Sequence, residues 1–387
     1  MNNYKTLKFP KNYLIYEEGN YPKDVFYIIT KGKAKSYSSN SKNYEREYDV
    51  GFIAGLMNLA TNEPYFVTIE TIEETEVIEM NLSDVKNLIN TDLIKKIYDY
   101  LNSAFETWLS KYYSNLVKNK VDLYYKDNIF VIAEIYKKNE FYDAAYKLYA
   151  DYIKEFDYAE NVEGARIELS KLEPMPPPKK FRDNIYLYMK GSCLYTELKP
   201  SNSLYIIMSG KIGIYNAING ELLLRDAYGK NYILYGYGPK SDYKPLLTSA
   251  IALETSYVKT FQKEEFLEMI IKDKQLRSYN IKMMSVKIIN VLYKIRAIEE
   301  ENITLKLFII ISTILKIEIL FEESESILLS HTIDDIKNSV NNISEDNILN
   351  NLRKIKSVEI VKDKYIKITN INNFFKEYKE YYEYQKK

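Results

Sequence analysis

The sequence predicts a multidomain α+β protein: two jelly-roll-like β modules, each followed by a long helix, plus a helical insert and a C-terminal winged helix-turn-helix. Three observations predict this class. They are a hairpin motif that occurs twice, two helical stretches with heptad spacing, and a C-terminal run of helix, helix and two strands. A length of 387 residues is enough for several separate cores.

The repeated motif is Tyr27-Ile-Ile-Thr-Lys-Gly32 in the first half of the chain and Tyr205-Ile-Ile-Met-Ser-Gly210 in the second. Each copy reads as an apolar strand, a turn whose glycine accepts positive φ, and a second strand, which together indicate a β-hairpin. Short strands at regular spacing, bounded by Gly, Pro and Asn, favour a jelly-roll-like sandwich over a parallel sheet. The repeat therefore predicts two β modules, over residues 1–90 and 181–271.

Each β module is followed by a predicted long helix, over residues 91–125 and 272–300. Apolar residues recur there at alternating spacings of three and four, which indicates a helical seam. The seam residues are Ile94, Ile97, Leu101, Ala104 and Trp108 in the first helix, and Ile281, Met284, Ile288, Val291, Ile295 and Ile298 in the second. We expect the helices to pair within one chain as a pseudo-dimer or between two copies as a homodimer, and packing on their own modules is the alternative.

Residues 126–173 form the predicted helical insert. Small alanines with aromatic residues three to four positions away resemble one tetratricopeptide-type repeat with a capping helix, which would bind a protein partner. A helical spacer is the equal alternative. The run Pro174-Met-Pro-Pro-Pro178 then predicts a stiff extended linker over residues 174–180.

The C-terminal region, residues 301–375, has the order of a winged helix-turn-helix. A helix over Leu307–Ile319 precedes helix starts at Thr332 and Ser344, and two short strands, Val358–Val361 and Tyr365–Thr369, follow. Residues 376–387 are expected to form a polar tail.

Composition limits the function classes. The chain has 54 basic and 54 acidic side chains, so any polyanion site must be local. One cysteine and one histidine argue against a disulfide framework, a cysteine zinc site and most catalytic arrangements, and no nucleotide-loop or metalloprotease motif occurs. We therefore expect no catalytic residues, no metal and no enzyme activity. The N-terminus has no apolar signal segment, and lysines interrupt the most apolar stretch, so a cytoplasmic location without a membrane partner is expected.

The order of these parts resembles the cyclic-nucleotide-binding regulators of the cyclic-AMP receptor protein and fumarate-nitrate regulator class. The twin hairpins, the segment Tyr16-Glu-Glu-Gly19 and the stretch Gly51–Leu56 carry the resemblance, which covers residues 1–125 and 185–375. It implies a cytoplasmic transcription regulator with two cyclic-nucleotide-binding-type β-rolls as sensors and a winged helix that binds DNA.

The phosphate-binding segments depart from that family. Where the family places a ribose-binding Glu and an Arg-Ser pair, this sequence has Gly55, Glu63 and Pro64 in the first module, and Leu246-Leu247 in the second. A carboxylate repels phosphate and leucine supplies no charge, so cyclic AMP itself is not expected to bind. No cofactor is certain, and a different cyclic nucleotide or another small ligand is the remaining expectation.

Two arginines and several glycines are the candidate ligand-binding residues. Arg46 and Arg225 precede Gly51 and Gly229, and Gly236 with Gly238 would form a backbone nest for an anion. The full candidate set is Arg46, Gly51, Phe52, Ile53, Ala54, Gly55 and Leu56 in the first module, and Arg225, Gly236 and Gly238 in the second. Solvated arginines and a filled apolar core are the alternatives.

Candidate DNA-binding residues lie on the second helix of the C-terminal region and on the hairpin. They are Ser344, Asn347, Asn350, Asn351, Arg353, Lys354, Lys362, Lys364 and Lys367. The asparagines can read adenine edges and the cations can bind phosphate, whereas Glu345 and Asp346 oppose this. Two hypotheses follow: a DNA-binding regulator, or a scaffold or signalling protein that uses its rolls, insert and winged helix as protein-interaction surfaces.

Overall fold

The computed structural model describes residues 4–38, 45–116, 128–197, 199, 201–218, 220–236, 248–319, 324–339 and 343–385. The chain forms two compact units. One combines Met1–Leu109 with Glu264–Leu292, and the other combines Ser110–Lys263 with Tyr293–Lys387. Both units are therefore built from segments that are far apart in the sequence.

The first double sheet belongs to the first unit and contains two four-stranded antiparallel sheets, ordered β1-β8-β3-β6 and β2-β7-β4-β5. Its core holds side chains from both sheets, including Phe9, Ile29, Ala34, Ile69 and Val77. The elements are β1 (Lys5–Phe9), β2 (Leu14–Tyr16), β3 (Phe26–Lys31), β4 (Ala34–Tyr37), β5 (Glu45–Tyr48), β6 (Ile53–Ala54), α1 (Leu56–Thr61), β7 (Thr68–Thr71), β8 (Thr75–Met80) and α2 (Leu82–Lys86).

The second double sheet belongs to the second unit. Its sheets have the orders β15-β12-β17-β10-β9 and β11-β16-β13-β14, which match the first double sheet strand for strand once the added edge strand β9 is set aside. The strands are β9 (Lys179–Arg182), β10 (Ile185–Tyr188), β11 (Cys193–Tyr195), β12 (Ser203–Ser209), β13 (Ile212–Ile218), β14 (Glu221–Tyr228), β15 (Ile233–Tyr235), β16 (Ser249–Ala252) and β17 (Ser256–Gln262).

The repeated hairpin has the same local geometry in both copies. Gly32 and Gly210 both have positive φ, at 84° and 88°. An added Cβ would clash with Thr75 at the first glycine and with the corresponding Ser256 at the second. Each turn therefore requires glycine for two reasons: its backbone angle and the close approach of the neighbouring strand.

Two long helices follow the double sheets: α3 (Thr91–Leu116), and α8 (Lys274–Glu299), which is preceded by α7 (Lys263–Lys272). The sequence predicts these helices over 91–125 and 272–300, and residues 117–125 of the first lie outside the described residues. Within the first unit they lie side by side, with Lys287 Nζ 5.9 Å from the ring centre of Phe105. Arg277 is buried and donates hydrogen bonds to the carbonyls of Val85, Lys86 and Leu88 after α2.

The helical insert consists of α4 (Asn128–Lys138), α5 (Tyr142–Glu155) and α6 (Val162–Ser170). It shares one hydrophobic core with the outer face of the sheet β11-β16-β13-β14 in the second double sheet. Phe141 and Tyr215 have ring centres 4.8 Å apart, and the Asp143 carboxylate accepts the Cys193 N–H at 2.6 Å. The insert is thus docked on its own chain through this face.

The C-terminal module contains α9 (Ile303–Glu318), β18 (Ile327–Thr332), α10 (Ile333–Ser339), α11 (Glu345–Leu352), β19 (Val358–Val361), β20 (Tyr365–Ile368) and α12 (Ile371–Gln385). Its three strands form one sheet in the order β18-β20-β19. The expectation of a polar tail over residues 376–387 was wrong, because α12 extends to Gln385 and its aromatic side chains pack on Phe308 of α9. Strand β18 was also not predicted.

Candidate functional site

The inner face of the first double sheet presents the candidate Arg46. Arg46 lies directly opposite Ser36 in the β4–β5 register, and Ser36 is fully buried, so both side chains belong to the inner face. The guanidinium lies 5.5 Å from the ring centre of Tyr48, which stacks on Phe52 at 3.7 Å. Among the residues that the structure describes, no carboxylate pairs with Arg46. It is therefore a solvent-exposed cation beside an aromatic pair.

The stretch Gly51–Leu56 crosses the end of this inner face. Gly51 has a φ of 94° and Gly55 a φ of 88°, and between them Ile53 and Ala54 form β6, which pairs with β3. Leu56 is buried at the start of α1. The backbone conformation of the stretch thus depends on both glycines.

Two tyrosines fill the space above Gly55. The rings of Tyr16 and Tyr65 stack at 3.9 Å, and a Cβ on Gly55 would lie 3.5 Å from the Tyr65 ring. Burial raises the pKa of Tyr65 to about 12, so its hydroxyl is neutral near pH 7. The position at which the resemblance expects a ribose-binding carboxylate is therefore bordered by neutral aromatic surface.

The turn that contains Glu63 and Pro64 uses its own polar groups. The Glu63 N–H donates to the Asn58 carbonyl at 3.1 Å, and the Asn58 amide donates to the Pro64 carbonyl at 2.8 Å.

The second double sheet has a different set of groups at the equivalent position. Asp226 lies opposite Ile214, as Arg46 lies opposite Ser36, and the register shifts between Ile214 and Tyr215. The candidate Arg225 falls at this irregularity, where it is buried with its Nε 2.9 Å from Asp226 Oδ2. This placement favours a structural ion pair over a ligand contact.

The other candidates of the second module are backbone groups. The position of Gly51 is taken by Asn231, not by Gly229: each N–H donates to an equivalent isoleucine carbonyl, Ile29 or Ile207. The Gly236 N–H donates to the Ser203 carbonyl and its own carbonyl accepts from Ser201. These groups are committed to strand pairing. Gly238 and Leu246-Leu247 lie outside the described residues.

The candidate DNA-binding residues lie on α11, on the segment that follows it and on the β19–β20 hairpin of the C-terminal module. Ser344 caps α11 by accepting the Asn347 N–H, and Asn347, Asn350, Arg353, Lys354, Lys362 and Lys364 are exposed. Lys367 lies 3.6 Å from Glu359. Asn351 differs from the expectation, because it accepts hydrogen bonds from Thr304 and Lys354 and donates to the Asn347 carbonyl. Its side chain is therefore held in place by its own module.

Sequence reasoning missed two buried sites with ionisable side chains in the second unit. One is Glu197, which receives hydrogen bonds from Tyr136 and the Ala217 N–H. The other joins Asp226 to Lys294 of α8 at 3.0 Å. Lysine in a heptad helix and aspartate in a strand are both typical of solvated surfaces, so no local signal marked either residue.

The described ranges contain neither a metal-binding cluster nor a membrane-spanning helix. No group of three or more His, Cys, Asp or Glu side chains there is arranged to hold a metal ion. None of the helices in these ranges combines the length and apolar character needed to cross a membrane.

The family comparison assigns a class to the first double sheet. Residues 6–92 match the family model of the cyclic nucleotide-binding domain. The resemblance inferred from the hairpin and from Gly51–Leu56 is therefore confirmed for this part of the chain.

Several solved structures are similar to larger parts of the chain. A mutant of CooA from Carboxydothermus hydrogenoformans has 13% identity and a TM-score of 0.38, and the match covers 50% of this chain and 87% of that one. FixK2 from Bradyrhizobium japonicum has 11% identity, a TM-score of 0.38 and coverages of 50% and 95%. The c-di-GMP responsive global regulator CLP from Xanthomonas campestris has 10% identity, a TM-score of 0.36 and coverages of 47% and 92%. No curated protein matches the sequence.

Proposed function

We propose that this chain is a ligand-sensing transcription regulator in which the C-terminal module binds DNA. The observation that carries the proposal is the element order α9, β18, α10, α11, β19, β20, with a three-stranded sheet ordered β18-β20-β19. This is the order of a winged helix-turn-helix, in which the second helix of the pair enters the major groove and the hairpin contacts the backbone.

The exposed chemistry of the module supports DNA as the partner. Asn347 and Asn350 on α11 can each donate to and accept from an adenine edge. Lys362 and Lys364 flank the β19–β20 turn, where Lys362 and Asp363 have positive φ and turn the chain sharply. Cations at a wing tip bind phosphate without reading sequence.

The ligand sensor in this proposal is the first double sheet. Arg46 supplies an exposed cation at the inner face, and Tyr48, Phe52, Tyr16 and Tyr65 supply aromatic surface. A small anionic ligand with an aromatic ring fits this combination. The second double sheet is proposed to be a second β-roll of the same type, on the basis of its matching strand order.

A scaffold that binds proteins through the C-terminal module is the second candidate function. Glu345 and Asp346 in the first turn of α11 favour it, because carboxylates at the groove-entering end are repelled by phosphate. The insert is less suited to partner binding than the sequence suggests, because one of its faces packs on the second double sheet.

Fluorescence anisotropy of labelled A+T-rich duplexes separates the two functions. The wild type is expected to bind more weakly as salt rises, since counterions are released from phosphate. The variant Lys362→Glu with Lys364→Glu is expected to lose roughly tenfold or more in affinity. Lys376→Glu with Lys379→Glu is the matched control, because it makes the same charge change on exposed positions of α12. Absence of binding at low salt would exclude the regulator.

A thermal-shift screen of cyclic mono- and dinucleotides tests the sensor separately. A ligand at 100 times its dissociation constant adds about 2.7 kcal/mol to the apparent stability. The shift should disappear in Arg46→Ala and persist in Arg166→Ala, a control at an exposed arginine. If no compound shifts the unfolding temperature, both double sheets are structural modules, and the DNA-binding result is unaffected.

The long helices are proposed to pair within one chain. In the single chain, Ile288 is fully buried and Ile295 is 7% exposed, so the second seam is covered without another copy. Light scattering should therefore give a monomer. An obligate dimer that Ile288→Lys with Ile295→Lys dissociates would contradict this pairing.

A further inference from the structure

At the position where the first double sheet carries an exposed cation, the second carries a buried carboxylate that is paired with an ammonium group from α8. Asp226 on β14 corresponds to Arg46 on β5 through the cross-strand partners Ile214 and Ser36. Arg46 is on an exposed strand, whereas all of β14 after Glu221 is buried. The same inner-face position is therefore open in one double sheet and closed in the other.

Lys294 of α8 covers the inner-face position at Asp226. The Lys294 ammonium lies 3.0 Å from Asp226 Oδ1 and donates a 2.8 Å hydrogen bond to the Arg225 carbonyl. Its side chain is only 4% exposed. Two anionic or polar oxygens thus hold a cation that is removed from water.

The second oxygen of Asp226 is occupied as well. Arg225 Nε lies 2.9 Å from Asp226 Oδ2, and the Tyr228 hydroxyl donates to the same oxygen at 3.1 Å. Arg225 Nη2 in turn donates to the Tyr228 hydroxyl at 3.1 Å. The carboxylate therefore has partners on both oxygens, which a buried charge requires.

The surrounding elements add further titratable groups. Tyr112 and Tyr113 come from α3, and His331 of β18 lies with Nε2 3.2 Å from the Arg225 carbonyl and Nδ1 3.8 Å from Glu318 of α9. Burial opposes the charge on Asp226, but Lys294 and then Arg225 outweigh it and hold the pKa of the carboxyl below its ordinary value. The site is thus an ionised pair enclosed by protein.

We propose that the second double sheet binds an internal ligand: the Lys294 ammonium occupies the anionic site formed by Asp226 and the Arg225 carbonyl, and no external nucleotide enters. Both carboxylate oxygens of Asp226 and the Lys294 ammonium have partners within the chain. A nucleotide phosphate would have to displace Lys294 and face the Asp226 carboxylate. This inference concerns the second double sheet alone and does not depend on DNA binding.

Chemical rescue of the full chain tests the proposal. Lys294→Ala removes the ammonium and leaves a space beside Asp226, and the midpoint of thermal unfolding should fall by roughly 5 °C or more. Butylammonium chloride should recover part of this loss, because it returns an ammonium group on an apolar stem. Butanol and tetramethylammonium chloride should not, since the first lacks the charge and the second cannot donate a hydrogen bond. Lys282→Ala, an exposed position on the same helix, is the control for loss of a lysine.

A double-mutant cycle covers the case in which Lys294→Ala does not fold. Lys294→Met keeps the stem and leaves Asp226 without its ammonium, and adding Asp226→Asn should restore stability toward the wild type. Two results would overturn the proposal. One is equal recovery by butanol and butylammonium, which would indicate a filled cavity. The other is a double variant whose loss equals the sum of the two single losses.

Discussion

The Tyr136 hydroxyl donates a 2.7 Å hydrogen bond to Oε1 of Glu197, and this bond joins the helical insert to the second double sheet. The Ala217 N–H donates to the same oxygen at 3.1 Å. Glu197 is 5% exposed, and burial raises its pKa to about 8 in spite of both donors. The carboxyl is therefore protonated at neutral pH, and its ionisation opposes the docking of the insert.

Glu197 should make the protein less stable as pH rises. The unfolded glutamate has a pKa of 4.5, so between this value and 8 the folded state binds more protons than the unfolded one. The free energy of unfolding should fall by up to about 1.4 kcal/mol per pH unit over this window. Glu197→Gln should remove this component, as measured by urea unfolding at several pH values. Glu163→Gln, at an exposed position of α6, controls for the substitution; equal slopes for wild type and Glu197→Gln would refute the assignment.

The turn at Gly32 should be far less tolerant of substitution than the turn at Gly19. Both glycines have a φ of 84°, but a Cβ meets nothing within 4 Å at Gly19 and would lie 2.5 Å from the Glu74 carbonyl oxygen at Gly32. Gly19→Ala should cost about 1 kcal/mol for its backbone angle alone. Gly32→Ala should cost roughly 1–3 kcal/mol more. Chemical denaturation measures both, and equal losses would contradict the clash.

Arg277 should not be replaceable by lysine. Its Nη1 donates to Val85, Lys86 and Leu88 carbonyls, and its Nε donates to the Ile270 carbonyl at 3.0 Å. A lysine has one nitrogen and cannot reach the ends of α2 and α7 together. Arg277→Lys should lower the free energy of unfolding by about 2–4 kcal/mol. Hydrogen exchange should increase near α2, whereas Arg166→Lys at an exposed site should change neither quantity.

Glu377 of α12 should stabilise the segment that links α11 to β19. Its carboxylate accepts the backbone N–H groups of Lys356 and Ser357 at 2.8 and 3.1 Å and the Ser357 hydroxyl at 2.8 Å. Glu377→Ala should cost about 1.5–3 kcal/mol, as expected for hydrogen bonds to a charged group. Amide exchange at Lys356 and Ser357 should accelerate. Glu380→Ala, on the exposed side of the same helix, should leave both amides protected.

The repeated hairpin was predictable because a glycine turn is a local feature. The Tyr-Ile-Ile strand, the glycine with positive φ and the strand that follows are all encoded within eleven residues of continuous sequence. The same holds for α11, whose N-cap Ser344 stands directly before the helix in the sequence. Such elements can be predicted without knowing which distant segments they contact.

The sequence contained a signal for the surface on which the insert docks, but this docking was not predicted. Outward positions on the first double sheet carry charges such as Lys35 and Glu70, whereas the equivalent positions on the second carry Gly213 and Ile251. An apolar outer face must be covered. The helix α12 likewise has aromatic residues at helical spacing between its Lys and Glu residues, which is the pattern of an amphipathic helix.

The buried charges were beyond sequence reasoning. Lys294 stands between the seam residues Val291 and Ile295, and nothing nearby in the sequence indicates that Asp226 is its partner. Arg225 was predicted as a ligand contact because it precedes Gly229 as Arg46 precedes Gly51, whereas the strand register places Asp226 at the position of Arg46. Pairings of this kind are decided by the packing of distant segments.

The contacts of Arg277 also constrain the order in which the protein can be completed during synthesis. The carbonyl groups that follow α2 leave the ribosome 189–192 residues before the arginine that binds them. All strands of the first double sheet precede α2 in the sequence, but the end of α2 lacks its arginine partner until α8 has been made. A nascent chain that ends before Arg277 therefore exposes these three carbonyl groups to water.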